Sequence, residues 1–288
     1  MAGILRARLA RALDLVTVFA LAAIVALAAF GWSGFQRYYV DGVKLLAATA
    51  PDEAERPAIL VFSKTRGYRH DDAIPAANDL FARFAREQGW DYFQTENAAN
   101  FTPEMLARFD AVVFNNVSGD VFTPQQREAF RAYVEGGGGF VGFHGSGGDN
   151  EYAWRWYVDE LIGAQFIGHP MAPQFQSGRL VPEGGDHPAT AGLPPHWFWI
   201  DEFYSFEASP RAKDYDILLT IDEESYAPER LAMGSDHPMA WWHCQGGGRA
   251  FYSALGHRPE SYAEPEYQAM LLGATRWALR LEGGGCEQ

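Results

Sequence analysis

Three histidines stand where an α/β chain presents side chains for chemistry. His70 closes the segment that follows the apolar run 58–63 (AILVFS). His144 follows the run 140–143 inside GFHGSGGD, and His257 follows 250–255 inside SALGHRPESY. Loops at the carboxyl ends of parallel strands share one rim of a sheet, so residues far apart in sequence can converge there. Imidazole at such a rim suits proton transfer near neutral pH or metal ligation. The acidic cluster Asp201-Glu202-Phe203-Tyr204 supplies a carboxylate and a phenol. If it is a strand, Glu202 and Tyr204 point to one face, a base or ligand beside a hydrogen-bonding group. The competing reading of this cluster is a solvated edge strand. His169, His187, His196, His237 and His243 have no comparable placement. Short-range metal patterns such as HExxH are absent, which counts against a metal; a divalent ion such as zinc stands as the alternative to metal-free acid–base chemistry.

The turn Gly142-Phe143-His144-Gly145-Ser146 resembles a nucleophile elbow, a strand and a helix joined by a sharp turn with small neighbours. Its tip is His144. Ser146 lies beyond the tip and is the weaker candidate for a nucleophile. The glycines would also serve if they did no more than permit close packing of strand and helix.

The elements that must position these residues follow from hydrophobic periodicity. The runs 58–63, 111–115 (AVVFN) and 140–143 are short and apolar except at their last residues Ser63 and Asn115, the profile of strands buried on both faces. Residues 91–95 form a further strand candidate. Ile74, Ala77, Phe81 and Phe84 recur at helical spacing. Thr123-Pro124-Gln125-Gln126 predicts a helix start, with Thr123 as N-cap, Pro124 at N1 and Gln126 completing a capping box. Gly136 to Gly139 stops that helix. Strands alternating with helices predict crossover units and a mostly parallel sheet with helices on both faces. The second half reads as strands near 200–206, 215–221, 239–244 and 250–255, then a helix opened by Pro265. Trp154, Trp156, Trp197, Trp199, Trp241 and Trp242 are most simply core, although aromatics of this kind also stack on sugars.

The formal charge of -14 argues against nucleic acid and against an anionic lipid surface as the domain's target. The two cysteines, Cys244 and Cys286, show no spacing that asks for a disulfide, and Cys244 in MAWWHCQ reads as a buried small hydrophobe. Arg6, Arg8 and Arg11 precede an uncharged apolar run, 15–32, long enough for the ~30 Å hydrocarbon core of a bilayer. Arginines before the run predict a cytoplasmic N-terminus and an exported domain, with Phe30, Trp32, Phe35, Tyr38 and Tyr39 at the far interface. A cleaved signal peptide is the alternative. The run exceeds the usual signal core, which favours an uncleaved single-pass anchor in the cytoplasmic membrane with the domain on its outer, periplasmic or extracellular side. The resulting division is a basic N-terminus at 1–14, an anchor at 15–32, a linker at 33–57, one domain at 58–281 and a tail at 282–288.

Eight motifs in order then resemble the ThuA-like (trehalose utilisation) family. They are GYRHDDAI (67–74), FNNVSGD (114–120), GGGFVGFHGSGG (137–148), GAQFIGHP (163–170), HPAT (187–190), DEFYSF (201–206), DHPMAWWH (236–243) and GRAFYSALGH (248–257). The resemblance implies a flavodoxin-like, class I glutamine amidotransferase-like fold. It also implies processing of a disaccharide or modified sugar. It carries a departure: amidotransferases place a nucleophilic Cys at the elbow tip, where this chain has His144, so thiol-based release of ammonia from glutamine is not expected. The expectation is therefore an enzyme acting on a small-molecule sugar, with His70, His144, Glu202, Tyr204 and His257 as acid, base or ligands. The alternative is a non-catalytic carbohydrate-binding or scaffold protein on the same fold. Convergence of these side chains in one pocket would favour the enzyme.

Overall fold

A computed structural model describes residues 57–183 and 185–286. The expected anchor at 15–32 and nearly all of the expected linker lie outside the described residues. Among the described residues no helix is long and apolar enough to cross a membrane.

The first half follows the apolar runs. Strand β1 (Ala58–Phe62) leads into helix α1 (Ala73–Gln88), then β2 (Asp91–Thr95), the short α2 (Pro103–Leu106), β3 (Ala111–Asn115), α3 (Pro124–Glu135) and β4 (Gly139–Phe143). Every residue of β1, β3 and β4 is buried. This is what an uninterrupted apolar run requires of a strand covered on both sides. The covering helices can be assigned from β4. Phe140 and Phe143 are three residues apart and so face opposite sides of the sheet. Phe143 stacks on Phe81 of α1, whereas Phe140 packs on Phe130 of α3. The capping box predicted at α3 is present: Thr123 accepts from Gln126 N, and the Gln126 side chain accepts from Thr123 N.

The second half contributes β5 (Phe166–Gly168), β6 (Gln176–Pro182), β7 (Trp197–Asp201), β8 (Ser205–Phe206), β9 (Asp216–Asp222), β10 (Pro238–Gln245), β11 (Gly248–Ser253) and helix α4 (Pro265–Ala278). The large sheet has the order β2-β1-β3-β4-β11-β10-β9-β6-β7, and β5 pairs separately with β8. Strands β2, β1, β3, β4 and β11 are mutually parallel, as expected for neighbours linked by crossovers. The steps β11–β10, β10–β9, β9–β6 and β6–β7 are antiparallel, so the sheet is mixed. Four reversals return β7 to the direction of β4 and β11. Its carboxyl end therefore lies on the same sheet edge as theirs.

In a flat sheet β7 and β11 would be separated by four strand spacings of about 4.8 Å, roughly 19 Å. Instead, Asp201 at the end of β7 accepts a hydrogen bond from Gly256 N, just beyond β11, at 2.7 Å. The antiparallel half thus curls over the rim of the parallel half. Right-handed twist accumulating from strand to strand gives the sheet its tendency to coil this way.

Three sequence expectations are corrected. Glu202, Phe203 and Tyr204 are not in a strand; they form the loop between β7 and β8, freeing their side chains from strict alternation. The segment 166–182, not expected to contain strands, holds β5 and β6. Cys244 is exposed and bonded to Cys286, a bridge spanning 42 residues of chain. The bridge ties the tail to the far end of β10, because that strand runs opposite to β11 and its carboxyl end lies on the edge away from His144. The tail also packs back on the domain: Trp277 Nε1 donates to Gly284 O and Arg249 Nε to Gly285 O.

Candidate functional site

His144 sits at the end of β4 with φ of 43°, a conformation a residue bearing a Cβ seldom adopts. The turn is held from several sides. Tyr252 OH donates to His144 O at 2.7 Å, and Gly145 N donates to Asn116 Oδ1 at 3.2 Å. Ser146 Oγ donates to Phe114 O and accepts from Val117 N. Ser146 is wholly buried and fully engaged there, so it pins the turn and is not a nucleophile. After the tip comes a short 3₁₀ turn, His144–Gly147, and not the longer helix that an elbow motif suggests. Glycine is required in this stretch: a Cβ on Gly147 or Gly148 would fall 2.6 Å from the rings of Tyr252 or Tyr204.

The three strand-end histidines and Glu202 meet above this tip. One ligand atom each from His70, His144, Glu202 and His257 can be chosen so that all lie within 4.8 Å of one another. His144 Nε2 is 3.0 Å from His257 Nδ1, 3.0 Å from Tyr204 Oη and 3.6 Å from Glu202 Oε2. His257 Nδ1 is 3.1 Å from the same Glu202 oxygen. The His70 ring stands edge-on to His144 and His257, with centroids 4.7 and 4.6 Å away. Tyr204 stacks on His144, with centroids 4.3 Å apart. The five residues singled out in the sequence are therefore brought together.

Protonation follows from what each atom faces. His144 Nδ1 is 2.9 Å from Ala254 O, which can only accept, so Nδ1 carries the proton and Nε2 presents a lone pair to the cluster. Burial, with the neighbouring histidines, holds His144 well below the usual imidazole range. Burial, then His257, lowers His70 to about 3. Burial by itself would raise Glu202. The hydrogen bond and charge of His257, with Gln174 and His169, outweigh it and leave Glu202 below the usual carboxylate range. Burial, then Glu202, pushes the Tyr204 phenol well above its ordinary value, so it stays protonated. At neutral pH the cluster therefore holds an ionised carboxylate, a phenol and neutral His70 and His144.

This is the state a divalent cation needs, with imidazoles deprotonated at the ligating nitrogen and a carboxylate ionised. The backbone carbonyl behind His144 is the kind of outer partner that orients a metal-binding histidine. His70 Nδ1 is buried with no hydrogen-bond partner among the described residues, an unmet requirement in an otherwise satisfied cluster. Donors 2.0–2.2 Å from a tetrahedral metal lie ~3.3–3.6 Å apart; the His144, His257 and Glu202 atoms already do to within a few tenths of an ångström, and the widest pair, at up to 4.8 Å, needs to close by about 1 Å. The residues fit a divalent metal.

Sequence reasoning missed several residues that build the site. Glu202 Oε1 accepts from Gln174 Nε2 at 2.5 Å and lies 3.2 Å from His169 Nδ1. Asp201, wholly buried, accepts from Trp199 Nε1, Glu202 N, Gly256 N and His257 N, fastening the loop of Glu202 to the loop of His257. Asn116 donates to Tyr262 Oη as well as accepting from the elbow. The only sequence signal for His169 was the motif GAQFIGHP, because β5 is too short to announce itself. The remaining histidines are elsewhere. His237 bonds Glu223 and Tyr204 O, His243 bonds Leu161 O, His187 accepts from Ala189 N, and His196 is exposed.

The profile of the ThuA, trehalose utilisation, family matches residues 58–278, most of the chain. The chain belongs to the ThuA family. Its fold is similar to that of a ThuA-like protein from Bacteroides uniformis, with a TM-score of 0.66 at 24% identity, covering 80% of this chain and 94% of that one. It is also similar to a ThuA-like protein from Parabacteroides merdae, with a TM-score of 0.60 at 17% identity, covering 78% and 90%. No curated protein is similar enough in sequence to match the chain. The ThuA domain has the class I glutamine amidotransferase-like arrangement, with His144 at its elbow. Both cysteines of this ThuA chain are in the disulfide, which leaves no thiol to act as a nucleophile.

Proposed function

We propose that this chain is a membrane-anchored, exported enzyme that processes a disaccharide or modified sugar at a divalent metal such as zinc. His70, His144, His257 and Glu202 would hold the metal. The observation that carries the reading is the convergence of three histidines and one carboxylate, from four separate loops, within 4.8 Å. Burying these groups together without a shared task would leave polar atoms unmet at a cost of about 1–3 kcal/mol each. His70 Nδ1 is such an atom.

When bound, the metal would supply Lewis acidity toward a sugar oxygen. The protein's own groups do the rest. His144 offers Nε2 because its Nδ1 proton is committed to Ala254 O. The Tyr204 phenol, protonated throughout the physiological range, lies 3.0 Å from His144 Nε2 and would turn its hydrogen bond to a bound ligand once the metal takes that lone pair. Gln174 and His169 hold Oε1 of Glu202, which leaves Oε2 turned toward His257 and His144. The family's description supports a sugar as substrate. Export is supported by the disulfide, since such bonds persist in oxidising compartments, and by the arginine-flanked apolar run at 15–32.

Metal analysis of the purified protein, paired with a sugar-turnover screen of the metal-loaded form, tests the proposal. About one equivalent of metal is expected, together with loss of metal and turnover in Glu202→Gln, whose shape is nearly unchanged. A wild-type protein that binds no first-row divalent metal would refute the metal centre. Metal binding without turnover of any sugar would favour a carbohydrate-binding protein.

A further inference from the structure

The way into the cluster is flanked by apolar side chains. His144, Glu202 and His70 are buried, and His257 is the one member of the set with appreciable exposure, at 13% of its side chain. A ligand approaching the cluster therefore meets His257 first. Two aromatic rings border that ring. Tyr68 is 67% exposed and lies 6.2 Å from His257 and 4.8 Å from His70, centroid to centroid. Phe175 is 41% exposed and lies 5.1 Å from His257. Arg258, next to His257 in the chain, places its guanidinium 5.9 Å from the Phe175 ring and pairs with Glu260 at 3.3 Å. That cation–π contact helps to orient a ring that water would otherwise leave free.

Tyr68 and Phe175 are two of the seven large exposed hydrophobics among the described residues, and both border the exposed member of the cluster. Exposed apolar groups gathered in this way mark a binding surface, whereas scattered ones carry no such meaning. The floor is the opposite in character, with the carboxylate of Glu202, the imidazoles and the amide of Gln174. A polar floor under an apolar rim is complementary to a ligand that is polar at one end and apolar at the other.

We infer that Tyr68 and Phe175 form an aromatic clamp selecting a sugar with an apolar, preferably aromatic, aglycone over a free disaccharide. The inference rests on the sugar-processing reading of the same site and names its substrate class. The sugar hydroxyls would face the polar floor and the aglycone would lie between the two rings. A free disaccharide would set hydroxyls against the aromatic rim, which cannot replace their bonds to water.

Equilibrium binding of 4-nitrophenyl glycosides against the matching methyl glycosides, to the metal-loaded full chain, tests the clamp. Glucosides and galactosides of both anomeric forms serve as probes. At least one aryl glycoside should bind about 10-fold more tightly than its methyl partner, the scale expected of one or two aromatic contacts. In Tyr68→Ala with Phe175→Ala the preference should fall to about unity while metal content and circular dichroism stay as in the wild type. Both side chains are exposed, so the double variant is expected to fold. Equal affinity for aryl and methyl glycosides, a preference that survives the double substitution, or no binding of any aryl probe would each overturn the clamp. Metal content of the wild type and of Glu202→Gln reports on the underlying site separately, so failure of the clamp and failure of the metal centre give different results.

Discussion

Asp201→Asn isolates the role of positioning. The wild-type carboxylate is wholly buried, and each oxygen accepts two N–H groups. Oδ2 takes Trp199 Nε1 at 3.0 Å and Gly256 N at 2.7 Å; Oδ1 takes Glu202 N at 2.9 Å and His257 N at 3.2 Å. Burial raises its pKa, while the Trp199 and backbone hydrogen bonds act in the opposite direction. Four donors and no acceptor surround the group, so a protonated acid would aim its own hydrogen at another donor; the ionised form is the one the site fits. An asparagine has a single carbonyl oxygen. Whichever way the amide is turned, two N–H groups lose their acceptor and face an NH₂. At about 1–3 kcal/mol for each unmet buried donor, the substitution should cost about 2–6 kcal/mol of stability. It should also loosen the link between the Glu202 and His257 loops and weaken metal binding by about 10–100-fold, the usual effect of losing an outer partner of a ligand. Urea denaturation of the metal-free protein reads the first effect and competitive zinc titration reads the second. Wild-type stability together with wild-type zinc affinity in Asp201→Asn would refute the argument that this carboxylate ties the two loops.

Replacing Cys244 and Cys286 by Ser opens a 42-residue connection. Chain entropy predicts a loss of up to about 4 kcal/mol in denaturant unfolding, with metal content preserved because the bridge lies on the other sheet edge. Burial, then Arg249, lowers His187 to about 4 in the folded protein. Its unfolded value near 6.5 is higher, so the unfolded chain binds the extra proton; stability present above pH 6.5 is lost as pH falls toward 4. Between pH 7 and pH 5 the wild type should lose about 2 kcal/mol more than His187→Gln, measured by urea titration at each pH, and parallel losses would show that His187 does not carry the effect. An alkaline phosphatase fused to the C-terminus should be active in whole cells if residues 15–32 anchor the chain with its domain outside; a dead phosphatase beside an active cytoplasmic reporter would reverse the orientation.

Much of the scaffold was legible because it depends on local pattern. A run such as AILVF at β1 has no polar face to turn toward water, so as a strand it is covered on both sides. Thr123-Pro124-Gln125-Gln126 carries its own capping chemistry, and the helix begins there. The placement of His70, His144 and His257 at strand ends was likewise a local fact, and parallel strands carried all three to one edge. The disulfide and the strands at 166–182 were not legible. The first joins residues that pattern does not relate, and β5 is too short to show a period.

By itself, the sequence determined which residues could do chemistry, that the first half would be a crossover sheet, and that its elbow would carry an imidazole where a thiol would be needed for amidotransferase chemistry. Only the tertiary structure decided that Glu202 joins the histidines. Its position depends on four successive antiparallel pairings, each reversing the chain, and on the curl that brings β7 back over β11. Except for the β10–β11 hairpin, those pairings are set by contacts between residues well separated in sequence, such as Leu180 with Ile221 and Leu219 with Ala240, and no short window along the chain contains both partners. The same holds for His169, Gln174 and Asp201. Their side chains have meaning for the site only once the second half has folded onto the rim of the first.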